Sequence, residues 1–460
     1  MKKTLFLCVG IFLFLLARKK SDVFALDKSI RIGLESQKDI MIKNKIICVD
    51  VGDKNKNLTL KTKTNFKINS VNGVYVKHNG LYENYDEASK AQQEFAQKNI
   101  KATVCMSDTN LYFLCSELVN NHAELPDINK NSGNQIINAQ EGKILALSDG
   151  KNIIFFDKNN IKIRSSDSNL IELGDKKYYG ELEFYYDLEL KKIIAVNILD
   201  FDKYLACVVG IEMHFNWPNE SLKAQAIALR TYILKNMKAK RHKNYDLCDK
   251  CHCQIYSGFK NNFDLLDRII AETNDLCIYY DNELIDAVFF SSSGGATEDS
   301  ENVWNNRLDY LRGKKNGFDL KEISKTWMHK FYGSQIKKML SEKNIDIGNI
   351  LGAEVREVLP SERVNKLLLL GTNGEKMLTK EEIRNFFRCD NGQILESRMF
   401  DMNSQIYLDE NNNFDCVLEF NGKGYGHGVG MSQYGAKALA ESGYDFDTIL
   451  KYYYTGVQIK

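Results

Sequence analysis

The chain has 460 residues, which is too long for one core of ordinary size and predicts two or three domains. Lysine and arginine (62) nearly balance aspartate and glutamate (61), so there is no basic excess of the kind typical of nucleic-acid-binding proteins. The 11 cysteines are an odd number without regular spacing, which argues against a small fold held together by disulfides.

The first 25 residues have the pattern of a targeting segment. Lys2 and Lys3 precede an apolar run over residues 4–17, and residues 23–25 offer a cleavage site. The apolar run spans about 21 Å as a helix, short of the roughly 30 Å hydrocarbon core of a membrane. Basic residues at 18–20 follow the run directly, where cleaved signals are usually uncharged. The segment therefore predicts an exported, extracytoplasmic protein, and residues 1–25 are either a signal peptide or a short membrane anchor.

Residues 26–176 are predicted to be β-rich, with short strands and few helical segments. One part differs: a strand at 74–76, a helix from Asn84 to about Lys98, and two strands at 103–106 and 111–114. This pattern, near residues 72–118, resembles the small sporulation-related repeat that binds glycan strands of peptidoglycan. The alternative is a small α+β module that only positions the domain after it.

A mixed α/β domain is predicted over residues 177–460, so the fold class of the whole chain is α+β. It opens with a predicted hairpin of strands 179–186 and 192–199, which leads to Glu212. Glu212 is a lone carboxylate in an apolar run, and a buried carboxylate is costly unless it is paired or protonated. Apolar surroundings raise the pKa of a glutamate, which suits it to general-acid catalysis. The alternative is an ordinary glutamate on the polar side of a short helix or at its end.

A long helix is predicted next, with Asn219 as its N-cap after Pro218. Apolar residues recur along it at helical spacing and are expected to face the core: Leu222, Ala226, Leu229, Ile233 and Met237.

Three thiols and two imidazoles then follow within twelve residues: His242, Cys248, Cys251, His252 and Cys253. Thiolates and imidazoles together are typical zinc ligands, and such a dense cluster predicts a metal site. The alternative is a reactive or disulfide-forming cluster, which an exported protein allows. Because His252 and Cys253 are adjacent, both can bind one ion only from an irregular loop.

Two glycine-containing segments lie further along the chain. A strand predicted at 284–290 runs into Ser291, Ser292, Ser293, Gly294 and Gly295, where a sharp turn can approach a ligand closely. Residues 421–436 hold six glycines around His427, and they include Gln433. The spacing of these glycines matches neither the P-loop pattern nor the Rossmann pattern of nucleotide-binding proteins. Both segments can also be purely structural loops. The region between them is predicted to be a structural lobe, with a helix over 325–340, strands at 353–359 and 364–370, and a short helix capped by Thr379.

These segments together resemble the stage II sporulation protein D family, which includes the amidase enhancers. The resemblance covers roughly residues 178–460. It rests on residues 204–213, Trp217 and Pro218, residues 222–232, the serine–glycine turn (residues 291–295) and the final glycine segment (residues 421–436). One departure is His214, where relatives commonly have proline.

The resemblance implies a set of site residues. Glu212 takes the position of the catalytic acid, and the substrate-binding positions are Gln225, Arg230, Tyr232, Ser292, Ser293, Gly294, His427 and Gln433. Arg230 and Tyr232 either support the groove or contact sugar, and a structural salt bridge of Arg230 is the further alternative. The zinc ligands implied are His242, Cys248, His252 and Cys253. The interval between Cys248 and His252 is one residue shorter than expected, so Cys251 is an alternative ligand in place of His252 or His242.

The activity implied by the resemblance is that of a peptidoglycan lytic transglycosylase. Such an enzyme cleaves the bond between N-acetylmuramic acid and N-acetylglucosamine and forms a 1,6-anhydro ring, so one carboxylate can suffice where hydrolysis usually needs two. The implied partners are glycan strands stripped of peptides and a cell-wall amidase. Two alternatives remain: a non-catalytic amidase activator or glycan-binding protein, and a zinc amidase, which a site closed by four protein ligands disfavours.

Overall fold

The computed structural model describes residues 29–460 except 36–39, 45, 51–56, 62–64, 99–101, 107–110, 119–134, 149–152, 157–159, 167, 260–262, 323–325, 390–391 and 409–413. The predicted targeting segment, residues 1–25, lies outside the described residues. In the part of the chain that is described, no helix has the length and apolar character needed to cross a membrane.

Helices and strands are both well represented, which confirms the predicted α+β class. The α-helices of the described residues are α1 (Tyr85–Gln97), α2 (Phe201–Glu212), α3 (Asn219–Lys238), α4 (Phe263–Glu272), α5 (Gly333–Ser341), α6 (Glu381–Phe386), α7 (Gln433–Glu441) and α8 (Phe446–Tyr453). The strands up to the helix-rich part are β1 (Ser29–Gly33), β2 (Met41–Ile42), β3 (Ile46–Asp50), β4 (Asn57–Lys61), β5 (Phe66–Lys77), β6 (Ala102–Met106), β7 (Tyr112–Leu118), β8 (Gln135–Ser148), β9 (Ile153–Phe156), β10 (Asn160–Ser165), β11 (Leu170–Leu173), β12 (Lys176–Tyr179), β13 (Glu181–Asp187) and β14 (Lys192–Asp200). The later strands are β15 (Leu247–Cys248), β16 (Ile278–Tyr280), β17 (Glu283–Leu284), β18 (Phe289–Phe290), β19 (Thr326–Tyr332), β20 (Ile350–Val358), β21 (Val364–Gly371), β22 (Gly374–Thr379), β23 (Phe400–Leu408), β24 (Phe414–Lys423), β25 (Met431–Ser432) and β26 (Gln458–Ile459).

The chain divides into two compact units. The first unit comprises Met1–Tyr204 and His242–Phe259, and the second comprises Leu205–Arg241 and Lys260–Lys460. The division falls within α2, so it differs from the boundary near residue 176 that sequence resemblance suggests. That boundary, and a glycan-binding module near residues 72–118, stay predictions.

The first unit contains two large sheets. One has the strand order β15-β1-β14-β13-β10-β3-β4, and the other β12-β11-β2-β5-β7-β6-β9-β8. Strands β13 and β14 form the predicted antiparallel hairpin, with Phe184 opposite Ala195, and both residues are buried. The predicted helix between strands is also present: α1 begins after Asn84, whose side chain accepts a hydrogen bond from the backbone N–H of Glu87. In the residues around α1, the elements therefore follow the predicted strand–helix–strand–strand order.

The second unit contains a lobe in which one prediction was wrong. Residues 326–332 were expected to be helical, but they form strand β19, which pairs with β24 along its whole length. Helix α5 begins only at Gly333. The apolar residues of this stretch fit a helix and a strand equally well, and pairing with a distant strand decides between the two. The predicted strands at 353–359 and 364–370 correspond to β20 and β21, which pair with each other.

Three local predictions also needed correction. Helix α3 begins at Asn219 itself, and its N-cap is Pro218, which makes no side-chain cap bond. The cap of α6 is Lys380 rather than Thr379. The continuous strand expected at 284–290 is reduced to its two ends, β17 and β18, and β18 pairs with β25 from the far end of the chain.

Candidate functional site

Glu212 lies at the last position of helix α2 and is partly buried. Its Oε2 accepts a hydrogen bond of 3.0 Å from Nε2 of Gln433, the first residue of helix α7. The end of a helix is an unfavourable place for a negative charge because the last carbonyl groups are unpaired there. The structure therefore brings two of the predicted site residues into direct contact.

Aromatic side chains accompany this contact. The Trp217 ring lies edge-on to Tyr434, with centroids 4.9 Å apart, so the segment after Glu212 runs beside the start of α7. Lys437 places its Nζ 5.8 Å from the centroid of the Trp217 ring. Phe215, three positions after Glu212, is 43% exposed and packs on the ring of His214. An exposed aromatic face close in sequence to an acid is suited to contact with an apolar face of a sugar ring.

The serine–glycine turn is held from inside by a carboxylate that the sequence analysis did not single out. Asp319, which is only 1% exposed, lies in a 3-10 turn over Gly317–Glu322. Its Oδ1 accepts from the Ser292 hydroxyl at 3.2 Å, and its Oδ2 accepts from the backbone N–H of Ser293. The same Oδ2 accepts from the Ser432 hydroxyl at 2.8 Å.

This network has consequences for the predicted substrate contacts. Ser292 and Ser293 are buried, and the Ser293 hydroxyl accepts from the backbone N–H of Gly295 at 3.1 Å. Ser432 is the N-cap of α7, and its hydroxyl accepts from the N–H of Gly435. Asp319 thus connects the serine–glycine turn to the residue directly before Gln433. The roles of Ser292 and Ser293 in binding substrate stay predictions.

The two glycine segments approach each other at backbone level. A Cβ on Gly294, whose φ is +69°, would lie 2.8 Å from the sulfur of Met399 and 3.2 Å from the backbone nitrogen of Gly424. A Cβ on Gly428, whose φ is +89°, would lie 2.5 Å from Nε of Arg363. Side chains are therefore excluded at both positions, by the backbone conformation as well as by the space.

His427 has both ring nitrogens committed to the backbone. Nδ1 accepts from the N–H of Val429 at 3.1 Å, so the proton is on Nε2, which donates to the carbonyl of Phe289 at 3.1 Å. Burial, together with the nearby guanidinium groups of Arg384, Arg363 and Arg398, lowers the pKa of His427 to about 3. The ring is neutral at ordinary pH. Its two hydrogen bonds to the backbone are those expected of a histidine in a structural loop. Contact between His427 and substrate stays a prediction.

Helix α3 carries three further predicted residues. Arg230 is 2% exposed, and its guanidinium donates to the carbonyls of Ile270, Thr273 and Leu276, at and beyond the end of α4. It therefore stabilises the end of a neighbouring helix through these carbonyl groups, and the salt bridge considered from sequence stays an alternative. Gln225 is fully buried, and its amide atoms have no hydrogen-bond partner among the described residues. Tyr232 is partly buried.

Buried charged groups also surround Glu298, the first residue after the serine–glycine segment that is both acidic and buried. Glu298 is 3% exposed; its Oε1 accepts from the side-chain amide of Asn302 at 2.9 Å and its Oε2 accepts from the Ser361 hydroxyl. Arg363, which is 1% exposed, donates to the carbonyls of Ala296 and Ser293. Arginines such as Arg363 give no sequence signal because only the tertiary contacts distinguish them from surface residues.

The loop from His242 to Cys253, called here the His–Cys loop, forms a candidate metal centre in the first unit. The ligand atoms of His242, Cys248, His252 and Cys253 all lie within 4.8 Å of one another. The Cys253 sulfur is 3.2 Å from Nε2 of His242 and 3.3 Å from Nδ1 of His252, and the Cys248 sulfur is 3.8 Å from the same Nδ1. Zinc in tetrahedral geometry separates sulfur and nitrogen ligands by about 3.5 Å. Both the donor types and their spacing fit one zinc-like ion, and the exposed Cys251 is outside this group.

The same loop is anchored to the sheet of the first unit. Strand β15 pairs with β1, so that Cys248 lies opposite Gly33. A Cβ on Gly33 would lie 2.6 Å from the ring of Tyr245, and that ring's hydroxyl donates to Glu35. Further along, the Tyr256 hydroxyl donates to Asn197 on β14 at 2.7 Å. Metal ligands on so well-held a loop need little reorganisation to bind an ion.

Comparison with known proteins finds similarity over the part of the chain that contains these candidate sites. A family model described as Stage II sporulation protein matches residues 189–280, and a model described as a domain of unknown function matches residues 298–430. Stage II sporulation protein D of Bacillus subtilis is 28% identical over 280 residues, 58% of this chain and 76% of that protein. The amidase enhancer of the same organism is 27% identical over 340 residues, 65% of this chain but 47% of that protein. An uncharacterized protein of Brachyspira hyodysenteriae is 30% identical over 62% of this chain and 73% of its own length.

The chain belongs to the stage II sporulation protein D family. The first matched region begins just before β14 and ends with β16, so it includes Glu212, helix α3 and the His–Cys loop. The serine–glycine turn lies between the two matched regions, and the second region ends just before β25.

Proposed function

We propose that this protein is a peptidoglycan lytic transglycosylase with Glu212 as its general acid and base. The observation that carries the proposal is the hydrogen bond from Gln433 to Glu212, which joins two separate segments that resemble the family. The side-chain amide of Gln433 holds Oε2 of this carboxylate in a defined position. Similarity to proteins named for sporulation and for amidase enhancement supports a role at the cell wall, outside the cytoplasm.

The proposed reaction uses Glu212 twice. As an acid, it protonates the oxygen that links N-acetylmuramic acid to N-acetylglucosamine, and the bond from that oxygen to C1 of the muramic acid breaks. The carboxylate then removes the proton from the C6 hydroxyl of the same muramic acid, whose oxygen bonds to C1. The products are a 1,6-anhydro end and a free hydroxyl on the departing sugar. No water is consumed, so no second carboxylate is needed to activate one.

The remaining predicted residues are assigned by what they contact. Gln433 orients Glu212, and we assign Ser292, Ser293 and His427 mainly to holding the loops around it, since their hydrogen bonds point into the protein. Gly294 lets the turn pass close to Gly424. His242, Cys248, His252 and Cys253 would hold a structural zinc ion. Four protein ligands leave no position for water, so the ion would stabilise the loop and take no part in the reaction.

The direct test uses glycan strands stripped of peptide stems. The purified chain is incubated with them, and the products are analysed by mass spectrometry for 1,6-anhydro ends. We expect product from the parent and none from Glu212→Gln. The matched control is Glu441→Gln, an exposed glutamate at the end of α7, which should keep full activity. Equal product from Glu212→Gln and the parent would remove Glu212 from the mechanism.

A second candidate function is a non-catalytic activator of a cell-wall amidase. It is favoured by the similarity to a protein named amidase enhancer. In that case the parent would release no 1,6-anhydro product, would still bind glycan strands, and would raise the rate at which an added amidase removes peptides. The two functions are separated by measuring both products with the same preparation.

A further inference from the structure

A second group of metal-ligand side chains lies in the lobe of the second unit. His329 on β19, Cys389 beyond the end of α6, and Glu396 just before β23 bring one ligand atom each to within 4.8 Å of the others. Cys389 and Glu396 both lie in the connection between α6 and β23, 60 and 67 positions after His329. None of them belongs to the His–Cys loop or to the region around Glu212.

The distances at this group are those of ligands around a common ion. Nε2 of His329 is 2.9 and 3.2 Å from the two carboxylate oxygens of Glu396 and 3.5 Å from the sulfur of Cys389. Tetrahedral zinc separates nitrogen and oxygen ligands by about 3.3 Å, and nitrogen and sulfur ligands by about 3.5 Å. The separation from the sulfur and the longer separation from a carboxylate oxygen agree with these values.

Hydrogen bonding and metal binding make different use of the His329 ring. Nε2 of an imidazole carries either one proton or one lone pair. If it carries the proton, it donates to Glu396, and the Cys389 sulfur is only a weak acceptor for the same proton. If it carries the lone pair, it can bind a cation together with the Cys389 thiolate and the Glu396 carboxylate.

The surrounding structure holds the ligands in place. Trp327 lies beside the His329 ring, with centroids 5.5 Å apart. The turn that carries Cys389 is closed by a hydrogen bond from its N–H to the Gln393 carbonyl at 2.8 Å. The backbone carbonyl of Glu396 accepts from Gly426 at 2.7 Å, so the segment before β23 is also fixed. Ligands held this firmly by rigid elements favour binding.

The site is also accessible. The side chains of His329 and Glu396 are 25% and 23% exposed, so an ion and a water molecule can reach them. We propose that His329, Cys389 and Glu396 bind one divalent transition-metal ion of the zinc class, with solvent or a partner's ligand in the fourth position. Nitrogen, sulfur and carboxylate donors together favour zinc over magnesium or calcium. The ion would cross-link β19 to the connection between α6 and β23.

The test is the metal stoichiometry of the full chain. Metal-free protein is titrated with zinc, and bound metal is measured after gel filtration by plasma mass spectrometry. We expect two equivalents in the parent, and one each in Cys389→Ser and in Cys253→Ser, which removes the His–Cys site. Cys416→Ser is the matched control, because Cys416 is another cysteine of the same lobe and belongs to neither group. It should keep both equivalents.

Two further measurements guard against a folding defect. Glu396→Gln keeps the size of the side chain and should weaken binding of the second equivalent by at least about tenfold. Cobalt(II) in the Cys253→Ser protein should give a thiolate-to-metal absorption band that disappears in Cys253→Ser/Cys389→Ser. The proposal is overturned if the parent binds one equivalent that Cys253→Ser abolishes, or if the metal content ignores Cys389→Ser and Glu396→Gln.

Discussion

The Gln433 side chain donates a hydrogen bond of 3.0 Å to Oε2 of Glu212, across 221 positions of the chain. Glu212 is the last residue of α2 and Gln433 is the first residue of α7, so each lies at a helix end. The segment that follows α2 contacts the start of α7 again through Trp217 and Tyr434. The final glycine segment therefore orients the proposed catalytic acid through Gln433. The accuracy with which the Glu212 carboxylate is positioned depends on the conformation of that segment.

Loss of the Gln433 amide should slow the proposed reaction while leaving the acid itself in place. Gln433→Ala removes one hydrogen bond that orients Glu212, and small misplacements of a catalytic group are costly. We expect the rate of 1,6-anhydro product formation to fall about tenfold to hundredfold. Gln405→Ala, an exposed glutamine on β23, is the control and should have no effect. An unchanged rate for Gln433→Ala would show that the contact plays no part in orienting Glu212.

Asp319 should be essential for the stability of the second unit. In Asp319→Asn, an amide NH₂ group faces the donors Ser292, Ser293 and Ser432, so at least one buried donor loses its acceptor. We expect the free energy of unfolding to fall by about 2 to 3 kcal/mol. All 3 tryptophans, Trp217, Trp304 and Trp327, belong to the second unit, so the urea transition of tryptophan fluorescence reports on this unit.

The control for this prediction is Asp309→Asn. Asp309 pairs with Arg307 on the surface, where both side chains are more than half exposed. Exposed pairs contribute little, so the change should stay within about 0.5 kcal/mol. A loss for Asp319→Asn no larger than that of the control would mean that the three serines find other partners.

His427 predicts how stability depends on pH. Its pKa is about 3 in the folded protein, below the ordinary value of 6.5, so the unfolded chain binds the extra proton between these values. Stability should therefore fall as the pH drops from 6.5 towards 3, by up to about 1 kcal/mol per pH unit from this residue. His427→Gln should have a shallower dependence over this range, measured by urea denaturation at several pH values. Parallel curves for the two proteins would contradict the buried, neutral imidazole.

Loss of the proposed zinc ion from the His–Cys loop should lower the melting temperature of the protein before it changes the rate of the proposed reaction. Cys253→Ser removes a thiolate that approaches both histidines, so it should lose one equivalent of zinc and lower the melting temperature. Cys251→Ser is the matched control, because this exposed thiol is outside the ligand group and should leave both quantities unchanged. Rapid loss of activity with an unchanged melting temperature would instead indicate a catalytic ion.

Structural features that are formed by residues close together in the sequence could be predicted from the sequence alone. The β13–β14 hairpin follows from two segments rich in strand-forming residues that are separated by a short turn. Helix α1 follows from Asn84 and its helical pattern, since a cap and its partner are three residues apart. The four metal-ligand residues lie within twelve positions, so a single loop can bring them together.

The remaining features depend on contacts between distant segments. Residues 326–332 are a strand because β24 pairs with them, although their apolar pattern also fits a helix. Asp319, Arg363 and the group of His329, Cys389 and Glu396 have no local signal, since each gains its role only from partners far along the chain.

The sequence by itself determined which residue types are present at the candidate sites: one acid in an apolar run, a dense His–Cys cluster, and glycines that permit positive φ angles. The tertiary structure alone decided which of them meet. It paired Glu212 with Gln433 and committed both nitrogens of His427 to the backbone. The physical reason is that local patterns set conformational preferences of a few tenths to about 1 kcal/mol per residue, and long-range packing and burial exceed them.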